Sequence, residues 1–157
     1  MESMIGADPQ PPGGEQRRMR LTGLHHLTAI VRDLDRTTAF YRDLLGLQLV
    51  REERSADDPD ARHSWFLLGQ GGTGGAGQLI SFMEYPHLPH GTVGTGSVQH
   101  FAFIVESAEE LAAWRDYLRS RGVQATDVFE RGGFSSIYIR DPDEHTVEIA
   151  TRGPGIR

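Results

Sequence analysis

Apolar and polar residues alternate along several short stretches of the chain, and these stretches fall into two similar units. In the first unit, this alternation predicts strands over residues 24–31, 47–51, 64–68 and 79–83. After the first strand, apolar residues recur at helical spacing, namely Phe40, Tyr41, Leu44 and Leu45. Asp33 or Asp35 is placed to cap this helix, and Gly46 is placed to end it. The first unit is therefore predicted to be β-α-β-β-β.

The second unit repeats this order. Its strands are predicted over residues 98–105, 123–129, 135–140 and 146–150. Ser107 and Glu110 match a capping box at the start of its helix, and Gly122 is placed to end that helix. We assign the first repeat to residues 21–85, a connector rich in Pro, Gly and His to residues 86–96, and the second repeat to residues 97–151.

Each repeat begins with a histidine on a strand. His26 is followed fourteen positions later by Phe40, and His100 is followed at the same distance by Trp114. Two imidazoles at equivalent positions of a duplicated unit suggest a metal site. One repeat is too small to bury its own sheet. We therefore expect an α+β fold in which the repeats pair into one curved, barrel-like mixed sheet around a metal cavity, with the helices outside.

Strand alternation indicates which side chains face that cavity. Apolar residues are predicted to pack under the helices, namely Leu27, Ala29, Val31, Phe101, Phe103, Val105, Val147 and Ile149. His26, His100 and Glu148 lie on the opposite face, together with Tyr138. Two histidines and one carboxylate are the composition of a facial triad, which leaves coordination positions open. The first-repeat position equivalent to Glu148 is Ser81 or Phe82, and neither is a plausible ligand.

Composition narrows the class of protein. The 157 residues suffice for one domain with a core, which we place at residues 21–157, after a tail of residues 1–20 that is expected to be disordered. The chain has no cysteine, so any metal must be bound by nitrogen and oxygen. The net charge of −6 argues against a nucleic-acid partner, and no apolar run is long enough to span a bilayer. We expect a soluble cytoplasmic protein.

Four segments of the sequence resemble a known superfamily. They are Gly23-Leu24-His25-His26-Leu27-Thr28, residues 40–47, Gln99-His100-Phe101-Ala102-Phe103, and residues 138–143 followed by Val147-Glu148-Ile149. The chain resembles the vicinal oxygen chelate superfamily of glyoxalase I, extradiol ring-cleaving dioxygenases and bleomycin-resistance proteins. The paired His25 and His26, and Tyr138 ten positions before Glu148, are most similar to the hydroquinone-type ring-cleaving dioxygenases.

The resemblance implies a site and a reaction. It places a divalent metal on His26, His100 and Glu148, with Fe(II) favoured and Mn(II), Zn(II), Ni(II) or Co(II) as alternatives. It also implies that Tyr138 and Arg131 lie near the metal as catalytic residues and that His25 supports the site. The reaction would be ring cleavage of a small aromatic diol or phenol with dioxygen. Small members of the superfamily are often homodimers, which is also our expectation here.

Two departures from that branch keep other functions open. Hydroquinone-type enzymes are about twice as long, and Gln99 stands where they tend to carry a second histidine. One alternative is a metal-free protein that sequesters a ligand or drug, as bleomycin-resistance proteins do. Another is a metal-dependent lyase or isomerase of the glyoxalase type. Whether His26 meets Glu148 within one chain or across two chains is also open.

Overall fold

The computed structural model describes residues 21, 23–69 and 78–153, so the predicted tail at residues 1–20 lies outside it. The first repeat contains β1 (His26–Val31), α1 (Leu34–Thr38), a π-helical segment (Ala39–Leu44), β2 (Gln48–Arg54), β3 (Arg62–Leu68) and β4 (Gln78–Glu84). The second contains β5 (Phe101–Val105), α2 (Ala108–Ser120), β6 (Phe129–Glu130), β7 (Ser135–Arg140) and β8 (Thr146–Thr151). The predicted element order is confirmed. No helix among the described residues is long and apolar enough to cross a bilayer.

The strands form two separate four-stranded sheets. The order is β1-β4-β3-β2 in the first sheet and β5-β8-β7-β6 in the second. In each sheet the first strand pairs in parallel with the last, and the other neighbours are antiparallel. The two repeats are thus topological copies, as predicted. The expected single barrel-like sheet is not seen, because β1 and β5 each form an edge and neither sheet closes.

The first helix changes its winding halfway along. Asp33 accepts hydrogen bonds at 3.0 Å from the backbone amides of Asp35 and Arg36. Of the two residues predicted as possible caps, Asp33 is therefore the one that caps the helix. From Ala39 the chain winds as a π-helix, which brings Tyr41 fully into the core. Gly46 follows with a φ of 76°, a conformation that side chains rarely adopt.

The second helix has the predicted cap. The Ser107 hydroxyl accepts a hydrogen bond from the amide of Glu110, while the Glu110 carboxylate reaches back to the amide of Glu106. Gly122 has a φ of 79° just after the helix. Leu111 and Leu118 are fully buried on the inner face of the helix.

The strand predicted over residues 123–129 is mostly wrong. Only Phe129 and Glu130 pair with β7. Ahead of them, the amide of Thr126 donates to the Tyr138 carbonyl, and the Thr126 hydroxyl accepts from the Tyr138 amide. A side-chain oxygen therefore takes the place of a backbone carbonyl, and the regular ladder is interrupted there.

The predicted division of the strand faces is confirmed. Val31, Val105, Val147 and Ile149 are buried in one core cluster, and Leu27, Ala29, Phe101 and Phe103 pack against it. His26 and His100 fall on the opposite faces, where alternate residues are exposed. Period-two alternation is a strong constraint here because a shift by one residue would exchange the buried and exposed sets.

Tyr41 joins the two repeats. Its ring contacts Phe82 of the first sheet at 4.4 Å and Phe101 and Phe103 of the second at 6.5 Å between ring centroids. Its hydroxyl donates to the Asp141 carboxylate at 2.9 Å. Both sheets therefore turn their apolar faces towards one shared core.

Asp141 is the polar centre of this junction. It is buried, and besides Tyr41 it accepts from the amides of Asp143 and His145 and from Nδ1 of His145, at 2.8 to 2.9 Å. Burial and the neighbouring carboxylate raise the pKa of Tyr41 well above its ordinary value, so its hydroxyl stays a donor. Each of the two Asp141 carboxylate oxygens thus accepts two hydrogen bonds.

Replacing Tyr41 with phenylalanine tests this junction. The variant leaves one buried Asp141 oxygen short of a donor, so we expect the free energy of unfolding to fall by about 1 to 3 kcal/mol. Urea denaturation followed by circular dichroism measures it. The matched control is Tyr117→Phe, whose half-buried hydroxyl donates to the Leu44 carbonyl at 3.2 Å and whose loss should cost less. Equal losses in the two variants would contradict the assignment.

The pair of His145 and Asp141 makes stability depend on pH. The hydrogen bond to Asp141 raises the pKa of His145 and outweighs the opposing effect of burial. Because the folded pKa exceeds the unfolded one, the stabilisation is complete below about pH 6.5 and is lost as pH rises through the folded pKa. His145→Gln should therefore cost more stability near pH 5.5 than near pH 8.5. Exposed His87→Gln is the control, and a pH-independent difference for His145 would refute the prediction.

Candidate metal centre

The second sheet brings together most of the residues singled out from the sequence. Ala102, Glu148 and Tyr138 are neighbours at one level of β5, β8 and β7. His100 precedes β5 and lies two residues before Ala102, so it belongs to the same face. This face is opposite to the one that packs in the core.

Glu148 is held by two of these side chains. One carboxylate oxygen lies 3.0 Å from Nε2 of His100, and the other accepts from the Tyr138 hydroxyl at 2.8 Å. Glu148 is only 4% exposed, whereas the His100 side chain is 36% exposed. A carboxylate buried to this degree needs such partners, and its oxygens are oriented by them.

Hydrogen bonds extend from this pair at both ends. The Gln99 side-chain oxygen bonds Nδ1 of His100, which leaves Nε2 turned towards Glu148. At the other end, Arg131 lies 3.4 Å from the Tyr138 oxygen, and its guanidinium stands over the rings of Phe129 and Tyr138 at 4.8 and 5.5 Å. Partners of this kind fix the orientation of ligating side chains in metal sites.

The first sheet carries the other two candidates. His26 begins β1, and its Nδ1 lies 2.8 Å from Nδ1 of His25. Both residues are exposed, and their rings meet edge to face at 5.0 Å between centroids. Strand alternation alone would turn His25 towards the helices. It lies just before β1, however, and contacts His26 instead.

The described residues do not gather the three expected ligands. Among residues 21, 23–69 and 78–153, no group of three or more His, Cys, Asp or Glu side chains is placed to hold a metal ion. His100 and Glu148 lie on the second sheet, and His26 lies on the first. A cavity of about 450 Å³ opens between β1 and the residues that lead into β5, and His100 is part of its wall.

The register identifies which residues of the two repeats correspond. Thr28 pairs with Ser81, and Ser81 pairs with Trp65, at the level that Ala102, Glu148 and Tyr138 occupy in the second sheet. Ser81 is therefore the counterpart of Glu148, which resolves the choice between Ser81 and Phe82. Trp65 is the counterpart of Tyr138.

Sequence reasoning singled out neither Trp65 nor His63. Both lie in β3, and His63 pairs with Met83 on the face that carries His26. Burial lowers the pKa of His63. The alternation of His63 and Trp65 with Ser64 and Phe66, which are fully buried, was a readable signal for their direction.

Comparison with known proteins identifies the family. Residues 23–149 match the model of the Glyoxalase/Bleomycin resistance protein/Dioxygenase superfamily. The chain belongs to this superfamily. Its two βαβββ repeats and the matching histidines at the start of each repeat agree with that membership.

Individual relatives cover several activities. MhqO of Bacillus subtilis, named as a presumed ring-cleaving dioxygenase, is 34% identical over 134 residues, which are 85% of this chain and 41% of MhqO. A solved Bacillus subtilis structure named as a presumed dioxygenase has a TM-score of 0.72 at 33% identity, with 85% and 41% of the two chains covered. The chain thus spans less than half the length of these relatives.

A third relative is the fosfomycin resistance protein FosX of Listeria monocytogenes. A variant of FosX, solved with Mn(II) and a dihydroxypropylphosphonic acid, is 27% identical to this chain. The match has a TM-score of 0.61 and covers 83% of this chain and 92% of that one. This relative, matched over nearly its whole length, thus has a structure that holds a divalent metal.

Proposed function

We propose that this chain is a metal-dependent ring-cleaving dioxygenase that acts on a small aromatic diol or phenol. The observation that carries the proposal is the buried Glu148, which is held between His100 and Tyr138 on a sheet face equivalent to the one that carries His26. The likeness to MhqO favours this reaction over others.

The donor set fits a divalent first-row metal. Two imidazoles and one carboxylate suit Fe(II), which we favour, and also Mn(II), Co(II), Ni(II) and Zn(II). Glu148 and Nε2 of His100 already lie within hydrogen-bond distance, as two ligands of one ion require. When bound, the metal would polarise a phenolic oxygen and offer an open position to dioxygen.

The neighbouring side chains have separate tasks in this proposal. The Tyr138 hydroxyl, which donates to Glu148 in this structure, can turn to donate to a substrate oxygen instead. Arg131 stands beside that hydroxyl and supplies positive charge where an anionic oxygen develops. His25 holds the ring of His26 in a fixed orientation.

The complete site is proposed to form between two chains. Ile30 lies on the His26 face of β1 and is 51% exposed, and Ile104 lies on the His100 face of β5 and is 58% exposed. Exposed apolar residues on an edge strand mark an interaction surface. A second copy that places its second repeat against the first repeat of its partner would cover both faces. It would also bring His26 to His100 and Glu148.

A second reaction class has an observation in its favour. FosX is matched over 92% of its length, whereas only 41% of MhqO is covered. This likeness favours, as the second candidate, a metal-dependent lyase or isomerase that uses the same ligands without oxygen. Oxygen consumption with an aromatic diol separates the two classes, because only the dioxygenase consumes it.

Metal stoichiometry is the first test of the proposed centre. We expect anaerobically loaded protein to bind about one Fe(II) per chain, and Glu148→Ala to lose most of it, because a carboxylate ligand is removed. Metal analysis after gel filtration measures this. Glu130→Ala, which removes an exposed carboxylate on β6, is the control and should bind like the parent. If the parent protein binds no Fe(II) specifically, the proposed dioxygenase function is refuted.

A mixture of two inactive variants tests the shared site. His26→Ala and Glu148→Ala should each bind little metal alone, but a shared site is intact where the first variant supplies His100 and Glu148 and the second supplies His26. Random reassociation of equal amounts should therefore restore about a quarter of the parental sites. Metal analysis of the refolded mixture measures the recovery. If the ligands all come from one chain, no recovery occurs.

A further inference from the structure

The first sheet places two aromatic side chains on the face that carries His26. The ring of Trp65 lies 4.9 Å from that of His26 and 4.6 Å from that of His63, between centroids. Trp65 thus stands between a candidate metal ligand and a second imidazole. Its register position matches that of Tyr138, which contacts Glu148 in the second sheet.

Trp65 and His63 each carry a polar atom that has no hydrogen-bond partner among the described residues. These atoms are Nε1 of Trp65 and Nε2 of His63, and both are buried. An indole nitrogen can only donate, and leaving it buried without an acceptor costs free energy. A ligand hydroxyl that turns the rings slightly could accept from the indole N–H and share a hydrogen bond with the imidazole nitrogen, which would recover that cost where water does not compete.

The surrounding residues restrict what this ligand can be. The hydroxyls of Thr28 and Ser81 bond each other at 2.7 Å, so their bonding capacity is already partly used. Arg51, which pairs with Trp65 across the strands, forms an ion pair with Glu53. Its charge is therefore balanced by a neighbour, so Arg51 offers no uncompensated positive charge to hold a phosphonate or another strong anion.

We propose that Trp65 and His63 form a binding subsite for the aromatic ring and hydroxyl of a phenolic ligand beside the metal centre. This rests on the proposed function, since it places the ligand next to His26. The indole packs against the ligand ring, and Trp65 Nε1 and His63 Nε2 bond its oxygen. The two residues would determine specificity on the first-sheet side of the site.

A single fluorine label reports on this subsite. The chain has two tryptophans, Trp65 and Trp114, so a Trp114→Phe variant grown with fluorotryptophan carries one label, at Trp65. We expect phenol, added to the Zn(II)-loaded protein, to shift the fluorine NMR signal in a saturable manner. Cyclohexanol, its saturated counterpart, keeps the hydroxyl but lacks the aromatic ring and should shift the signal much less. An unmoved signal with phenol, or equal shifts with both compounds, would overturn the proposal.

Variants of His63 test the hydrogen bond. In the same labelled protein, His63→Leu should weaken phenol binding about three- to tenfold, the effect of one lost hydrogen bond. His63→Gln keeps a polar side chain and should recover part of the affinity. It also provides a second reading if the leucine variant folds poorly. His87→Leu, at an exposed connector position, is the control. Parental affinity in both His63 variants would overturn the role of His63.

The same sample separates this inference from the proposed function. Metal analysis of the labelled protein shows whether the ion binds, and Co(II) in place of Zn(II) should broaden the Trp65 signal because its ring contacts His26. If the metal binds but phenol does not shift the Trp65 fluorine signal, only the proposed subsite is refuted. Failure to bind metal defeats the proposed function, and the phenol titration of the metal-free protein then still supports or overturns the subsite.

Discussion

The buried carboxylate of Asp141 is the interaction on which the arrangement of the two repeats depends. It fixes its own turn through two backbone amides, binds His145 in the second repeat, and accepts from Tyr41 of the first repeat. An ionised group in a core is tolerated only when its acceptor sites are filled, so Tyr41 cannot be moved without cost. The apolar faces of both sheets therefore pack in one core around this tyrosine.

This shared core also determines the direction in which the candidate ligands face. With the apolar faces turned inward, the faces that carry His26, His100 and Glu148 point away from the shared core. In the proposed two-chain centre each repeat would supply one half, and each half carries an exposed histidine. Buried Glu148 accepts a hydrogen bond from Tyr138, so the candidate carboxylate of the second repeat is held in place by a side-chain partner. In the first repeat the candidate ligand is His26, whose ring contacts that of His25.

Sequence reasoning succeeded where one physical rule acted alone. Period-two alternation separated Val147 and Ile149 from Glu148, because burial of one face leaves no freedom of register. It failed where side chains replaced backbone partners, as Thr126 does ahead of β6. It also could not foresee the packing of the two sheets around Tyr41, where a hydrogen bond joins residues a hundred positions apart. No local pattern contains that information.

Duplication followed by divergence accounts for the asymmetry of the candidate centre. Both repeats retain a histidine at the start of the first strand, but the carboxylate position holds Glu148 in one and Ser81 in the other. A second carboxylate at Ser81 would add a fourth protein ligand and close a position that a small ligand needs. The neighbouring position differs as well: the second repeat has Tyr138, with its hydroxyl, and the first has Trp65, with a broad apolar surface and one donor. The two repeats thus differ in the way expected if one mainly holds a metal and the other mainly holds the molecule bound to it.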